Sequence, residues 1–157
     1  MSNYKKGEII EYGSYPYGEN GEKRPLEWVV IESTDKAALL ITRNAIDTRP
    51  YKKKLASTDD ERRYDCAWKN SDARSWLNEE FIFSAFSEEE RAMIVPTKTE
   101  IDCLDKAFYL SYNEFHSYMP EKYIYTQATP YAAKQGYAAI RFGTDVFAGA
   151  GGFHGVK

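Results

Sequence analysis

From Trp68 to Phe81 the chain reads Trp-Lys-Asn-Ser-Asp-Ala-Arg-Ser-Trp-Leu-Asn-Glu-Glu-Phe, and from Ala85 to Ile94 it reads Ala-Phe-Ser-Glu-Glu-Glu-Arg-Ala-Met-Ile. No other stretch constrains the fold as much, because it holds two helix starts and most of a hydrophobic face. Asn70 or Ser71 can cap the first helix, and Asp72 places a carboxylate in the first turn, where the helix dipole favours it. Ala73, Trp76, Leu77 and Phe81 recur at three- and four-residue spacing and predict one apolar face, with Trp76, Leu77, Phe81 and Phe86 in the core. Ser87-Glu88-Glu89-Glu90 has the form of a capping box and predicts a second helix, which ends before Pro96.

The N-terminal third reads as strands. Glu8 to Tyr15 and Leu26 to Ser33 are rich in β-branched and aromatic residues, and Tyr17 to Gly21 supplies turn chemistry between them. Lys36 to Thr42 predicts a third strand after the Ser33-Thr34-Asp35 turn. Trp28 alternates along its strand with Val30, so it is expected to face the core of an antiparallel meander. Beyond Pro96, Ala107 to Leu110 reads as a strand, and Ser111-Tyr112-Asn113-Glu114 is a second capping box that opens a short helix toward Met119. Thr129-Pro130 offers a cap followed by proline at the first helical position, with Gly136 where that helix would end. From Tyr137 onward, short strands are expected to be joined by a glycine turn over Ala148 to Gly152.

The string Trp68, Asn70, Ser71, Arg74, Trp76-Leu77-Asn78, Phe81, Ala85-Phe86-Ser87, Glu90 and Ile94 resembles an uncharacterised bacterial and phage family, the domain of unknown function 6273 family. Further marks of that family fall in order along most of the chain: Tyr12 to Pro16, Leu26 to Val30, Ala38 to Ile41, Asp105 to Ser111, Ala128 to Ala132 and Gly155 to Lys157. The resemblance implies a compact C-type-lectin-like domain of the α+β class, with helices packed on a twisted antiparallel sheet, and implies no established activity. Relatives carry a Trp-Trp-Leu-Arg-Ser-Pro run near the end, whereas this chain has Ala138-Ala139-Ile140-Arg141-Phe142. The C-terminal sheet is therefore expected to be shortened or rearranged.

A chain of 157 residues, 43% hydrophobic and 15% aromatic, suits one domain over 1–157: strand-rich 1–45, a basic loop 48–64, helical 70–94 and a mixed Tyr-rich part 105–157. No window approaches 18 apolar residues and the N-terminus has no apolar signal region, so no membrane association and a cytoplasmic location are expected. Cys66 and Cys103 lack metal-ligand spacing and are expected as buried free thiols. A net charge of -3 argues against a nucleic-acid partner, whose phosphates call for many cations. A local cationic run, Arg49, Lys52, Lys53, Lys54, Arg62 and Arg63, is interrupted by Asp59, Asp60 and Glu61. It reads as a solvated loop or as a docking surface for an acidic partner.

The catalytic inventory is thin. His116 and His154 are the only neutral-pH bases, and neither belongs to a nucleophile motif with Ser or Cys. No phosphate-cradling glycine loop and no clustered metal ligands appear, so no metal and no cofactor are expected. The chain also lacks the Glu-Pro-Asn sugar motif of calcium-binding lectins and the late cysteine pair of the sulfatase-modifying enzymes. Carboxylates are expected to be solvated. Tyrosine, in contrast, is abundant at 13 residues and concentrates between Tyr109 and Tyr137. Its apolar ring and polar tip suit recognition surfaces.

These residues point to a non-enzymatic module that binds another protein, with Lys52, Lys53, Lys54, Tyr118, Tyr123 and Tyr125 as candidate contacts. A phage inhibitor of a host defence enzyme, of the anti-CRISPR kind, is one concrete form of such a module. The alternatives are a small-ligand sensor or divergent enzyme using Arg141, Asp145 and His154, and a structural or oligomer-forming phage component. Self-association stays open.

Overall fold

The computed structural model describes residues 4–53, 67–118 and 126–135, and as backbone the short segments 141–142, 145–146 and 151–154. Three strands come first: β1 (Ile9–Pro16), β2 (Lys23–Ser33) and β3 (Ala38–Thr42). A 3-10 turn (Trp68–Asn70) leads into α1 (Asp72–Ser75), a π-helical stretch (Trp76–Phe81) and α2 (Ile82–Ala85), and α3 (Glu88–Met93) follows. Then come β4 (Thr97–Glu100), β5 (Cys103–Asp105), β6 (Ala107–Tyr109), α4 (Tyr112–Tyr118), α5 (Pro130–Lys134), β7 (Arg141–Phe142), β8 (Asp145–Val146) and β9 (Gly151–His154). The protein is an α+β domain with antiparallel sheets.

The main sheet has five strands in the order β1-β2-β3-β9-β6, while β4-β5 and β7-β8 form two separate pairs. β1, β2 and β3 form the expected meander, with Ile10 opposite Trp28 and Val30 opposite Leu40. The glycines expected in a turn are placed otherwise. Gly151 and Gly152 belong to β9, where Gly152 pairs with Ile41 of β3 and with Phe108 of β6. Two flanking strands claim this backbone from both sides, and that pairing overrides glycine's preference for turns.

The predicted helix caps are present. Ser71 Oγ accepts from the Arg74 N–H and donates to the Trp68 carbonyl. Ser87 and Glu90 close a capping box, and Ser111 and Glu114 reproduce the same reciprocal pair. Thr129 caps α5, with Pro130 at its first position.

A simple α-helical face was expected after Asp72, but the chain widens to a π-helix over Trp76–Phe81. Ala73, Leu77, Phe81 and Ala85 reach the interior at four-residue spacing, joined by Ile82, each less than a tenth exposed. A strict four-residue repeat drifts around an α-helix by about 40° per step, and a wider turn cancels the drift. Trp76 correspondingly departs from its expected core place. It is half-buried, packs at the edge of the cluster and carries the Arg49 guanidinium over its ring at 4.8 Å.

β2 is buried on both faces, where alternation suggested one. Trp28 and Val30 join Leu77, Phe81, Ile82, Phe86 and Ile94 in the larger cluster beneath the helices. Val29 and Ile31 join Leu39, Ile41 and Phe108 in a second cluster, against which Leu110 and Tyr118 pack. The second cluster forms the floor beneath the candidate site.

Candidate functional site

Trp68 comes from the 3-10 turn ahead of α1, and its indole N–H donates to Asp105 Oδ2 at 2.8 Å. The same carboxylate accepts from Arg74 Nε at 2.9 and 3.1 Å and from the Thr99 hydroxyl at 2.6 Å. Asp105 is only 1% exposed, so the carboxylate expected among solvated charges is instead a buried hub. Burial works to raise its pKa, but the bonds from Arg74, Thr99 and Trp68, with the charge of Arg74, outweigh it and hold the carboxyl below the ordinary carboxylate range. A satisfied buried charge of this kind fixes geometry, because each donor would lose its partner if the carboxylate moved.

One signal for this hub was present in the sequence. Cys103, Asp105 and Ala107 occupy alternate positions, and all three are buried while Leu104 between them is exposed. A lone carboxylate in an inward-facing register needs donors from elsewhere, and Trp68 and Arg74 of the helix motif provide them.

With Trp68 fixed, Tyr51 and Tyr109 pack around it. The ring centroids lie 6.4 Å apart for Tyr51 and Trp68, 5.7 Å for Trp68 and Tyr109, and 6.5 Å for Tyr51 and Tyr109. Burial, followed by the charge of Asp47, pushes the Tyr109 hydroxyl pKa upward, so this tyrosine stays neutral. Asp47 itself accepts from the Tyr15 hydroxyl at 2.8 Å and from Arg49 Nε at 3.2 Å.

The aromatic group borders a cleft of about 500 Å³. Its floor is Leu39 and Phe108, one wall is β4 from Thr97 to Glu100, and the other runs from Tyr109 through Ser111 to Glu114 and Tyr118. Lys98, Glu100 and Glu114 bring charge to it. Glu114 Oε2 is held by the Ser111 N–H and hydroxyl, and Glu100 Oε2 accepts from the Lys69 N–H at 3.4 Å. The cleft is thus bounded by aromatic rings on one side and by the polar side chains of β4 on the other.

Of the residues singled out from the sequence, Tyr118 lines the cleft. Lys52 is half-buried and donates to the Asn70 carbonyl at 2.7 Å, while the Lys53 N–H donates to Asp72 Oδ2 and its side chain is exposed. Lys54, Tyr123, Tyr125 and Cys66 lie outside the described residues. Cys103 is buried and free. Arg141 and Asp145 share the β7-β8 pair, one register step apart, whereas His154 lies on β9 opposite Leu39. His116 is exposed on α4, with its ring 4.3 Å from that of Tyr112. The sequence did not point to Tyr51, Trp68, Thr99 or Glu100 as members of a site. Among the described residues there is no metal-binding group of three His, Cys, Asp or Glu side chains, and no helix long and apolar enough to cross a membrane.

No curated protein and no solved structure matches the chain. Residues 36–140 match the family described as Domain of unknown function (DUF6273). That span contains the Asp105 hub and every residue named around the cleft, and it leaves Arg141, Asp145 and His154 outside. With about two thirds of its length matched, the chain belongs to the DUF6273 family.

Proposed function

We propose that this chain is a non-enzymatic module that binds another protein through the cleft between β4 and the Tyr109–Tyr118 wall. The cleft carries the reading, since aromatic side chains are what protein-recognition surfaces concentrate at their centre. The buried Asp105 carboxylate is committed to Trp68, Arg74 and Thr99 and holds the wall in place. In this reading the scaffold is C-type-lectin-like, as the sequence resemblance implies, and the protein works in the cytoplasm. A phage inhibitor of a host defence enzyme is the form we favour. Enzymes that handle nucleic acid present basic surfaces, which a chain of net charge -3 complements.

The test uses the full chain as bait in a host lysate, with the captured protein then purified and titrated. Tyr118→Ala should weaken that complex at least tenfold with the protein still folded by circular dichroism, even though the ring packs on the second cluster. A cleft variant that binds as tightly as the parent would remove the cleft from function.

A further inference from the structure

β1 is an outer strand of the five-stranded sheet, with β2 beside it on one side. Its register with β2 fixes which main-chain groups face outward. The Glu8 carbonyl accepts from the Val30 N–H, and the pairing then runs Ile9 to Val29, Ile10 to Trp28 and Glu11 to Glu27. In an antiparallel ladder both groups of a residue point to one side and successive residues alternate. Ile10 therefore bonds toward β2, while the N–H and C=O of Ile9 and of Glu11 point away from it. Glu27 has the matching phase, since its carbonyl accepts from Arg43 on the β3 side. Among the described residues none bonds these outward groups, and both residues are exposed, Ile9 to 39%. The edge closes further on, where the register breaks between Glu11 and Ser14 and the Gly13 N–H donates to Glu90 Oε1.

Two residues with outward groups, one position between them, are self-complementary under a two-fold axis. When Ile9 lies opposite Glu11 of a second, antiparallel copy, every outward donor and acceptor meets a partner. Ile10 then faces its own counterpart across the axis, on the side where it packs against the larger cluster. The charges select the same orientation. Lys5 and Lys6 are exposed at one end of this edge, and Glu88 and Glu89 are exposed beside Glu90 at the other. An antiparallel copy brings the unlike ends together, whereas a parallel one brings like ends together. We propose that β1 is a self-association edge, through which two copies of this chain join their five-stranded sheets into one at Ile9 and Glu11. No residue of β1 lines the cleft, so this pairing is independent of what the cleft binds. An edge open only from Ile9 to Glu11 buries less than the about 1,200 Å² of standard interfaces, so the dimer is weak, with a dissociation constant on the order of 100 μM.

Sedimentation equilibrium of the full chain up to about 1 mM tests this, paired with amide hydrogen exchange at low and high concentration. A monomer–dimer equilibrium should appear, and the Ile9 and Glu11 amides should gain protection as concentration rises while the Ile10 amide does not change. Ile9→Glu places like charges opposite each other at both ends of the pair and should weaken it at least tenfold. Adding Glu11→Lys to that variant should restore it. Both positions are exposed, so the monomer should stay folded by circular dichroism. Ile101→Lys, at the 79% exposed tip between β4 and β5, should leave the dimer as it is. A chain monomeric at about 1 mM, a dimer that survives Ile9→Glu or is not restored by the second change, or one that Ile101→Lys disrupts would each overturn the proposal.

Discussion

Asn78 bonds the main chain of Ala107 in both directions. Its Oδ1 accepts the Ala107 N–H at 3.2 Å and the Lys106 N–H at 2.9 Å, and its Nδ2 donates to the Ala107 carbonyl at 2.9 Å and to the Arg74 carbonyl at 3.1 Å. One side-chain amide in the π-helical stretch thus pins the start of β6. Asn78→Leu should cost about 2–3 kcal/mol, because several main-chain groups lose partners at once. Urea denaturation measures it, and a loss below about 0.5 kcal/mol would contradict the clamp.

Asp105→Asn should destabilise by about 3 kcal/mol, since Arg74 is left without its charge partner in a mostly buried setting. The wild-type protein should also weaken in acid. The folded Asp105 pKa lies below the usual value, so its contribution is present above the unfolded pKa of about 4 and is lost as pH falls through the folded one. The acid limb of a stability-against-pH curve should flatten in the Asn variant.

The Tyr12 hydroxyl donates to the Glu90 carbonyl at 2.7 Å, and burial, reinforced by the charge of Glu90, pushes its pKa up to about 12. A raised folded pKa gives stability that is present below the unfolded value of about 10 and is lost as pH climbs through 12. Tyr12→Phe should therefore flatten the fall in melting temperature between pH 10 and 12, with Tyr15 and Tyr109, whose pKa values are also raised, contributing to the slope that remains.

Gly13 and Gly7 make a matched test. Both have positive φ, 71° and 84°, but a Cβ on Gly13 would lie 2.5 Å from the Phe86 ring and 2.7 Å from the Ala85 carbonyl, while one on Gly7 meets nothing within 4 Å. Gly7→Ala should cost about 1 kcal/mol for the backbone alone, and Gly13→Ala about 2–4 kcal/mol with overpacking added. Equal losses in thermal melts would place the strain elsewhere.

Phe81→Ala should cost about 3–5 kcal/mol, and Trp76→Ala visibly less, because Phe81 is 3% exposed while Trp76 sits at the margin of the cluster. The reverse order in denaturant midpoints would restore Trp76 to the core.

What the sequence disclosed was local. Ser71, Ser87 with Glu90, Ser111 with Glu114, and Thr129 with Pro130 each work within four residues, so spacing alone reveals them. The α+β class came with the family resemblance carried by Trp68 to Ile94 and its companion motifs, and the β-rich runs ahead of the Ala73–Phe81 periodicity agree with it. Of the Asp105 hub only the alternation of Cys103, Asp105 and Ala107 lay in the sequence, because its donors Trp68 and Arg74 are 37 and 31 positions away. The two-sided burial of β2 needed knowledge of what covers Val29 and Ile31. The π-helical turn was hidden because Ala73, Leu77 and Phe81 fit an α-helix acceptably over a short window. The cleft escaped notice because β4, β6 and Tyr51 build it jointly.

The position of β9 has a consequence for how the chain is made. Leu40 pairs with Phe153, more than one hundred positions later, and β9 stands between β3 and β6. During vectorial synthesis the meander emerges long before the strand that joins it to β6. For that interval β3 presents its ladder groups and the apolar residues of Leu39 to Ile41 to the cell, and folding has to wait for a long-range closure. A nascent chain halted before Gly151 would be a stronger substrate for chaperones and proteases than the finished protein.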